Sequence, residues 1–557
     1  MIFKEISVIF LLLLISFPAV RSLLLPGGFT SHDLTHHVVR QIDMDRLLFE
    51  GQFPPRWSGE LNNGYGYPLF IFNYPLPPLI GEAFHKLGFN FLDSVKAVLF
   101  LSFVTSTLGM YLFLKSLFNS YLSAFLGAIF YLYAPIHLIV VYVSGSPGAS
   151  MGLVFPPFML WAIVKLSQAK SKKFLLIGSF SFAGMILSHN ISAFIFMPVI
   201  LAFVIVLKLT EKKRENQNFL SDVVLMFLFG LGLSAFFWLP AIAEKQYIRY
   251  DALMQRIYLD QFPALSQIIY SPWGYGLSHP KSPAGGMSYQ VGLAHLGVMI
   301  LLLSQLWRFR KVKKFLLIGV FAIIFFISSI FFMLAVSQPL WDKLPFLSYV
   351  QFPVRLAVIP VFCAALTAGL LVKYLPWRRV CFLFLLFLVL YANRNHLGIN
   401  QKYDPGEQYY LSLKTSATSF DEDLPIWVNK LITDVSTTKF SFLSGGGKIE
   451  ILENKSARVL AKVEATASAR VRFNQYYFPG WEIKVDEEKI NFSYSAPENN
   501  GMPVFDIEKG SHLIKAEFKN TPLRNLANGI SIITVIIVII ILCKLLLRSL
   551  QKAKESS

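Results

Sequence analysis

Charged side chains are scarce in this chain. Only 15% of its 557 residues are Asp, Glu, Lys or Arg, while 54% are hydrophobic. A soluble globular domain carries about 25% charged residues. The three cysteines, Cys363, Cys381 and Cys543, lie in strongly apolar runs, so the sequence offers no disulfide or zinc framework. These shortages exclude a soluble protein and indicate one that faces a lipid bilayer.

Acidic residues are also few, with 33 Asp and Glu against 51 Lys and Arg and a formal net charge of +18. In a soluble protein this excess would suggest nucleic acid, whereas in a membrane protein basic clusters mark cytoplasmic loops. All the clusters fall on one side if the amino terminus is cytoplasmic: 170–173, 208–214, 308–314, 373–379 and 544–554. We therefore predict a multi-pass protein of the cell membrane with both termini in the cytoplasm and no nucleic-acid partner.

Long apolar runs predict about twelve transmembrane helices. A span needs about 20 apolar residues. The first run covers residues 6–25 and is expected to be retained, and the others centre near residues 105, 131, 158, 181, 200, 231, 298, 325, 364, 385 and 536. The stretch 68–80 is also apolar, but Pro75, Pro77 and Pro78 interrupt it, so we predict a juxtamembrane or re-entrant element there.

The fold class predicted is an all-α polytopic membrane protein with a C-terminal extracytoplasmic β-rich domain. Residues 1–392 form the transmembrane domain, with the first outer loop at 26–94. In residues 393–523 polar residues become common, and the segments 458–465, 469–473 and 481–486 alternate apolar with polar positions. This alternation favours a β-sandwich or jelly roll. Residues 524–557 supply the final helix and a basic tail.

The first outer loop carries the strongest candidate for chemistry. At 100° per residue, one face of a helix there presents Asp33, His36, His37 and Arg40. Asp33 and His37 lie one turn apart and could share a divalent metal (Mg²⁺ or Mn²⁺) or a phosphate, although two ligands alone do not establish a site. Alternatively, Thr30 and Asp33 match a capping box and the histidines are solvated at an interface.

A phosphate site needs fixed positive charge or hydrogen-bond donors at the depth of Asp33. Arg355 is the strongest choice, because a guanidinium forms a fork that fits phosphate. Three of the candidates also have a structural interpretation when each is considered alone. Arg355 can reach lipid headgroups, His189 can cap a helix, and Arg249 can pair with Asp251. The candidates at outer ends of spans are His189, Tyr247, Arg249, His279 and Arg355.

Several motifs resemble a bacterial and archaeal multispanning family labelled pyruvoyl-tetrahydropterin synthase-related. In the first loop these are DLTHH from Asp33, GQFPPRW at 51–57, GYGYPLF at 64–70 and YPLP at 74–77. Later segments agree: LSHN at 187–190, SPWGYG at 271–276 and QFPVR at 351–355. YYFPGWE at 476–482 is similar to the outer domain of related glycosyltransferases.

The resemblance implies a GT-C type membrane glycosyltransferase, which takes a sugar from a polyprenyl-phosphate carrier on the outer face of the membrane. In that superfamily an acidic residue of the first outer loop is the catalytic base or a metal ligand, and Asp33 is the matching position. The resulting prediction is an inverting hexosyl or pentosyl transferase acting on an extracytoplasmic acceptor. The alternatives are a transporter or flippase of lipid-linked sugars and an inactive assembly factor.

Overall fold

The computed structural model describes residues 2–210, 216–280, 286–415 and 417–555. Lys212, Lys213 and Arg214 of the second basic cluster lie outside these residues. Helices fill the first part of the chain, strands follow, and one long helix closes it. The first α-helices are α1 (Ile2–Val20), α2 (Leu34–Phe49), α3 (Leu69–Phe72), α4 (Leu76–Lys86), α5 (Phe91–Phe118), α6 (Tyr121–Leu132), α7 (Pro135–Leu138), α8 (Pro147–Gly152), α9 (Phe155–Gln168), α10 (Lys172–Ser188) and α11 (Asn190–Thr210).

The remaining helices continue to the end of the chain. They are α12 (Phe219–Glu244), α13 (Tyr250–Met254), α14 (Leu265–Ile269), α15 (Leu293–Phe309), α16 (Lys313–Met333), α17 (Gln338–Lys343), α18 (Val358–Tyr374), α19 (Arg378–Asn393), α20 (Glu407–Ser412) and α21 (Pro522–Glu555). Short 3₁₀ turns lie between them, and a π-helix covers Ile139–Ser144.

Eight helices among the described residues are long and apolar enough to cross a membrane. The segments Tyr121–Leu132 and Pro135–Ser144 add a ninth span if the pair, bent by 50°, counts as one. Each sequence-predicted centre lies in or beside a helix, so a mostly helical multi-pass membrane protein is confirmed. The predicted count of about twelve is not. The helices α10, α15 and α19 have 17, 17 and 16 residues, which gives lengths of only about 24–26 Å at 1.5 Å per residue.

The helical core centres on α18, whose span Pro353–Tyr374 is 89% buried and packs against α6, α15 and α16. By contrast, α21 is only 17% buried and lies along α12. A Cβ at Gly232 of α12 would come within 2.4 Å of Thr534 Oγ1, so the glycine permits the close approach of these two helices. Beside it, Ser531 Oγ donates to the Gly232 carbonyl at 2.9 Å.

The apolar, proline-interrupted stretch 68–80 forms α3 and the start of α4, which agrees with the prediction that it is not a regular span. Pro77 and Pro78 occupy the second and third positions of α4, where their missing N–H groups would have had no helical partner. The helix α4 packs against α2 and α5. This packing holds the start of the first loop beside the helical core.

The strands form an antiparallel sandwich, here called the sandwich domain (residues 440–518). Its larger sheet has the strand order β4 (Gly447–Lys455), β5 (Arg458–Ala465), β10 (Gly510–Phe518), β7 (Trp481–Val485) and β8 (Glu488–Lys489). Its smaller sheet has the order β3 (Phe440–Ser444), β6 (Ala469–Phe473) and β9 (Val504–Ile507). The predicted strands at 458–465, 469–473 and 481–486 match β5 (Arg458–Ala465), β6 (Ala469–Phe473) and β7 (Trp481–Val485). Two short strands outside the sandwich domain, β1 (Gly28–Phe29) and β2 (Lys402–Tyr403), pair with each other in a separate antiparallel sheet.

The glycine-rich and aromatic motifs of the first loop bind the sandwich domain. Trp57 Nε1 donates to Gln475 Oε1 at 3.0 Å, and Gln475 Nε2 donates to the carbonyls of Gly59 and Gly64. Gly66 has φ +69°, and a Cβ there would lie 2.5 Å from Gln475 Oε1. The motifs GQFPPRW, GYGYPLF and YYFPGWE therefore form one interface, which gives much of their pattern a structural explanation.

Candidate functional site

The carboxylate of Asp33 stands at the amino end of α2. Its backbone N–H donates to the Ser144 carbonyl at 2.9 Å, which fixes the start of the helix against the broken span. The capping hydrogen bond comes from Ser31 Oγ, which accepts from Leu34 N at 3.1 Å, and the Asp33 side chain makes none. The capping-box alternative for Thr30 and Asp33 is therefore wrong, and capping does not occupy the carboxylate.

Three groups lie close enough to the Asp33 carboxylate to interact with it electrostatically: Arg355, Tyr74 and His36. Tyr74 follows α3 and His36 lies on the first turn of α2. Burial raises the pKa of the Tyr74 phenol, and the negative charge of Asp33 acts in the same direction. The site therefore combines one carboxylate, one guanidinium, a protonated phenol and an imidazole.

Neighbouring side chains hold Arg355 in place. Its Nη1 donates to the Val350 carbonyl at 3.2 Å and to Gln351 Oε1, and its guanidinium lies 4.8 Å from the centre of the Phe352 ring. Gln351 adopts φ +66°, and its Nε2 donates to the Tyr250 hydroxyl at 3.0 Å. The QFPVR motif therefore orients an arginine that interacts electrostatically with Asp33 and Tyr74.

His189 belongs to the same group but does not act as a cation. Its Nδ1 accepts the N–H of Ser192 at 3.1 Å, which caps α11, and its ring lies 5.5 Å from that of Tyr74. An Nδ1 that accepts a hydrogen bond carries no proton, so the imidazole is neutral with its hydrogen on Nε2. The geometry therefore does not support the cationic role expected for His189 and agrees with the alternative that this residue caps a helix.

The residues Tyr247 and Arg249 hold the segment 424–427 of the chain. The N–H of Ile426 donates to the Tyr247 carbonyl, and Arg249 N donates to the Leu424 carbonyl, both at 3.0 Å. The ring of Tyr247 also stacks on Trp427 with centroids 5.9 Å apart. Their observed contacts are therefore structural.

The expected pair of Arg249 with Asp251 does not form in the described structure. Lys245 Nζ instead bonds Asp251 Oδ1 at 2.8 Å. His279 is exposed in the loop after α14, and its N–H donates to Leu277 O at 2.9 Å. No contact described for its side chain joins it to Asp33, so the structure does not place His279 in the group.

A segment of residues 417–426, here called the strap, crosses the polar face of α2. Arg40 donates to the Ala417 carbonyl from Nε at 3.0 Å and from Nη2 at 2.6 Å. Asn73 Nδ2 donates to Asp423 Oδ2. Together with the contacts to Tyr247 and Arg249, these bonds fix the strap at both ends over the start of α2.

The strap brings a second carboxylate to the site. Glu422 interacts electrostatically with His36, Arg355 and Tyr250, and Asp421 also acts on His36. Glu422 and Asp33 thus share two neighbours, His36 and Arg355, although they lie 389 positions apart in the chain. The acidic run DED at 421–423 is visible in the sequence, but nothing local indicates that it returns to α2.

The pKa values of two groups around the strap, His36 and Asp423, are shifted. Burial and then the charge of Arg40 lower the pKa of His36, against the opposing effects of Asp33, Glu422 and Asp421. Burial, with Glu422 beside it, raises the pKa of Asp423 well above its usual range. Both shifts favour the uncharged form, that of the imidazole at His36 and that of the carboxyl at Asp423.

The metal site predicted from Asp33 and His37 receives no support from the geometry. His37 is buried and lines a small cavity with Arg40, Gln41 and Tyr74, whereas Asp33 does not line it. His36 is the histidine on which Asp33 acts. Among the described residues no three His, Cys, Asp or Glu side chains are grouped to hold a metal ion.

The SPWGYG motif supports the residue before Asp33. Gly276 accepts a hydrogen bond from His32 Nε2 at 2.9 Å. Trp273 stacks on His396 with ring centroids 4.2 Å apart, and the Tyr275 hydroxyl donates to the Gly398 carbonyl at 2.8 Å. The motif therefore ties the start of α2 to the segment that follows α19.

Comparison with known proteins gives limited similarity. No family model matches the chain. An uncharacterized protein of Lactococcus lactis subsp. cremoris (strain MG1363) is 25% identical over 245 residues, which cover 42% of this chain. The match spans only 39% of the length of that relative.

Two kinds of solved glycosyltransferase show partial structural similarity. The arabinofuranosyltransferase AftD from Mycobacteria aligns with 72% of this chain and 27% of its own, at 14% identity and a TM-score of 0.44. The oligosaccharyltransferase of Archaeoglobus fulgidus in its apo form aligns with 75% of this chain and 61% of its own, at 13% identity and a TM-score of 0.40. Similarity below a TM-score of 0.5 does not establish a family for the chain.

Proposed function

We propose that the chain is an inverting GT-C type glycosyltransferase that moves a hexosyl or pentosyl group from a polyprenyl-phosphate donor to an extracytoplasmic acceptor. One observation carries this proposal. The Asp33 carboxylate, which takes no part in capping its helix, lies in electrostatic contact with Arg355, beside a strap that precedes the sandwich domain. Glycosyl transfer from a phosphate needs this pairing of a base with fixed positive charge.

In the proposed reaction Asp33 removes the proton from the acceptor hydroxyl, amide or amine. The acceptor atom bonds to the anomeric carbon while the bond from that carbon to the phosphate oxygen breaks. The phosphate leaves with the bonding electrons and needs no proton, because Arg355 stabilises its charge and the neutral His189 donates from Nε2. Attack from the side opposite the phosphate inverts the anomeric configuration.

We assign Glu422 to the acceptor side of the reaction. It acts electrostatically on His36, Tyr250 and Arg355, and it belongs to the strap that precedes the sandwich domain. A second carboxylate next to the leaving phosphate would repel it, whereas one next to an acceptor hydroxyl or amine accepts a hydrogen bond from it.

The test uses cells in which the gene is deleted and then supplied again as wild type, Asp33→Asn or Asp45→Asn. Asp45 lies on the same helix and pairs with Lys86 at 2.7 Å, so its variant is a matched control for removing a carboxylate. Mass spectrometry of envelope glycans and glycoproteins should show a product that wild type and Asp45→Asn restore and Asp33→Asn does not. Restoration by Asp33→Asn at equal protein level would overturn the proposal.

A further inference from the structure

Two buried guanidinium groups and one carboxylate meet where α21 begins. Arg524, in the first turn of α21, is fully buried and donates to Glu244 Oε2 from Nε at 3.0 Å and from Nη2 at 2.8 Å. Arg56 of the first loop is only 4% exposed. Its Nη2 donates to Asn528 Oδ1 at 3.0 Å, but its buried Nε has no partner among the described residues.

The positive charge of this cluster exceeds its negative charge. Among the described residues, Glu244 is the carboxylate that acts electrostatically on Arg56 and on Arg524. Both oxygens of Glu244 are already bonded, Oε2 to Arg524 and Oε1 to the Thr521 hydroxyl at 3.0 Å. Arg56 is therefore a buried cation without a carboxylate of its own, next to the positive end of the α21 dipole.

Such a cation is costly unless an anion accompanies it. Burial and the charge of Arg524 lower the pKa of Arg56 to about 10, so the guanidinium still carries its proton at neutral pH. An uncompensated ion in a protein interior costs several kcal/mol after relaxation. The neutral Asn528 accepts one hydrogen bond but contributes no negative charge.

The position of the cluster indicates the source of the missing anion. Glu244 ends the α12 span and Arg524 lies in the first turn of the α21 span, so the cluster lies at adjoining ends of two membrane-crossing helices. Apolar side chains next to it face outward, with Ile242 69% and Leu526 60% exposed. The cluster thus lies at the depth where hydrocarbon gives way to lipid headgroups.

We propose that Arg56, together with Asn528, binds the phosphate of an anionic lipid headgroup. The planar guanidinium offers its remaining N–H donors to phosphate oxygens in the fork geometry that such anions favour. The lipid would tie the first loop to the bilayer at the point where the last helix enters it. None of these residues belongs to the group around Asp33, so the site is independent of the proposed glycosyl transfer.

The decisive variant is Asn528→Asp, which places a carboxylate where Asn528 now accepts from Arg56 at 3.0 Å. Asn525→Asp is the matched control, because it makes the same change of charge on an exposed position of the same helix. The full chain is purified in detergent, incubated with phosphatidylglycerol and examined by native mass spectrometry. Wild type and Asn525→Asp should retain the lipid, and Asn528→Asp should retain about tenfold less, which corresponds to one charge-assisted contact.

Further lipids and variants identify the ligand, and melting temperatures show whether a variant is misfolded. Phosphatidylcholine, which has no net charge, should be retained poorly by all three proteins. Arg56→Gln should lose phosphatidylglycerol as Asn528→Asp does, while Arg355→Gln should keep it. Equal retention by wild type and Asn528→Asp, with both proteins melting at similar temperatures, would overturn the proposal. If inorganic phosphate raises the melting temperature but no lipid is retained, the ligand is free phosphate and not a lipid headgroup, and the proposal is overturned.

Discussion

The indole rings of Trp57 and Trp481 meet edge to face, with centroids 5.4 Å apart and planes at 87°. Trp57 comes from the first loop and is fully buried, while Trp481 begins β7 of the sandwich domain. Phe518 packs against both rings. This aromatic cluster joins the loop that carries Asp33 to the domain that follows the strap, so the position of the site depends on it.

Removing the indole of Trp57 should loosen the sandwich domain. Trp57→Ala takes away a buried aromatic side chain and the hydrogen bond to Gln475, so we expect a loss of about 3–5 kcal/mol of stability. Limited proteolysis should cleave between the helices and the sandwich domain faster than in wild type. Trp307→Ala, at a residue that is 60% exposed, is the control and should leave the rate unchanged. Equal cleavage of both variants would contradict the docking described.

The ion pair between Glu244 and Arg524 should show strong coupling. Because both partners are buried, Glu244→Gln alone leaves an unpaired guanidinium and should cost about 3–5 kcal/mol. The double variant Glu244→Gln with Arg524→Gln should cost clearly less than the sum of the two single ones. A thermal-unfolding cycle in detergent measures this. As a reference, Asp506→Asn removes the exposed pair with Arg470 and should leave stability almost unchanged. Additive effects at Glu244 and Arg524 would refute the coupling.

Stability should fall as the pH rises through the titration of Asp43. Burial raises the pKa of this carboxyl to about 7, against an ordinary value of 3.8. Between these values the folded chain holds a proton that the unfolded chain releases, so higher pH favours unfolding. Asp43→Asn removes this dependence. At pH 8 its free energy of unfolding should exceed that of wild type by up to about 4 kcal/mol, and its melting temperature should be higher. At pH 4 the two should melt alike. A wild-type melting temperature that rises from pH 5 to pH 8 relative to Asp43→Asn would contradict the assignment.

The strap carboxylate should affect the acceptor more than the donor. Glu422→Gln keeps the shape of the side chain but removes its charge, so we expect the acceptor KM to rise about tenfold while kcat changes by less than about twofold. Glu487→Gln, on an exposed turn of the sandwich domain, is the matched control. An unchanged acceptor KM, or a loss confined to kcat, would remove Glu422 from the acceptor side.

The sequence predicted the helices and strands better than it predicted the site. The strands β5 and β6 match the expected bounds because alternation of apolar and polar residues is a local signal. The predicted count of about twelve spans is not confirmed at α10, α15 and α19, because a short apolar helix and a longer one give similar hydropathy along the sequence. The sequence analysis also does not predict the helix break near Pro135. The segment after this break ends at Ser144, whose carbonyl accepts a hydrogen bond from the Asp33 N–H.

The site depended on contacts between distant parts of the chain. Asp33 and Arg355 are both named by local motifs, and the structure brings them together. Glu422 and the strap could not be placed, because their position follows from hydrogen bonds to Arg40, Asn73 and Arg249 that no local pattern encodes. For His189, the sequence alone could not distinguish a helix cap from a charged side chain. The distinction depends on whether the atom next to Nδ1 donates a hydrogen bond to it or accepts one from it.

The most direct test of the account measures both products of the reaction at once. Purified chain is incubated with the lipid extract and envelope fraction of the deletion strain, and free polyprenyl phosphate and newly glycosylated acceptor are quantified by mass spectrometry. The account predicts that wild type and Asp45→Asn form the two in equal amounts, and that Asp33→Asn forms neither while retaining its fold. Glycosylated acceptor formed by Asp33→Asn at the wild-type rate would contradict it.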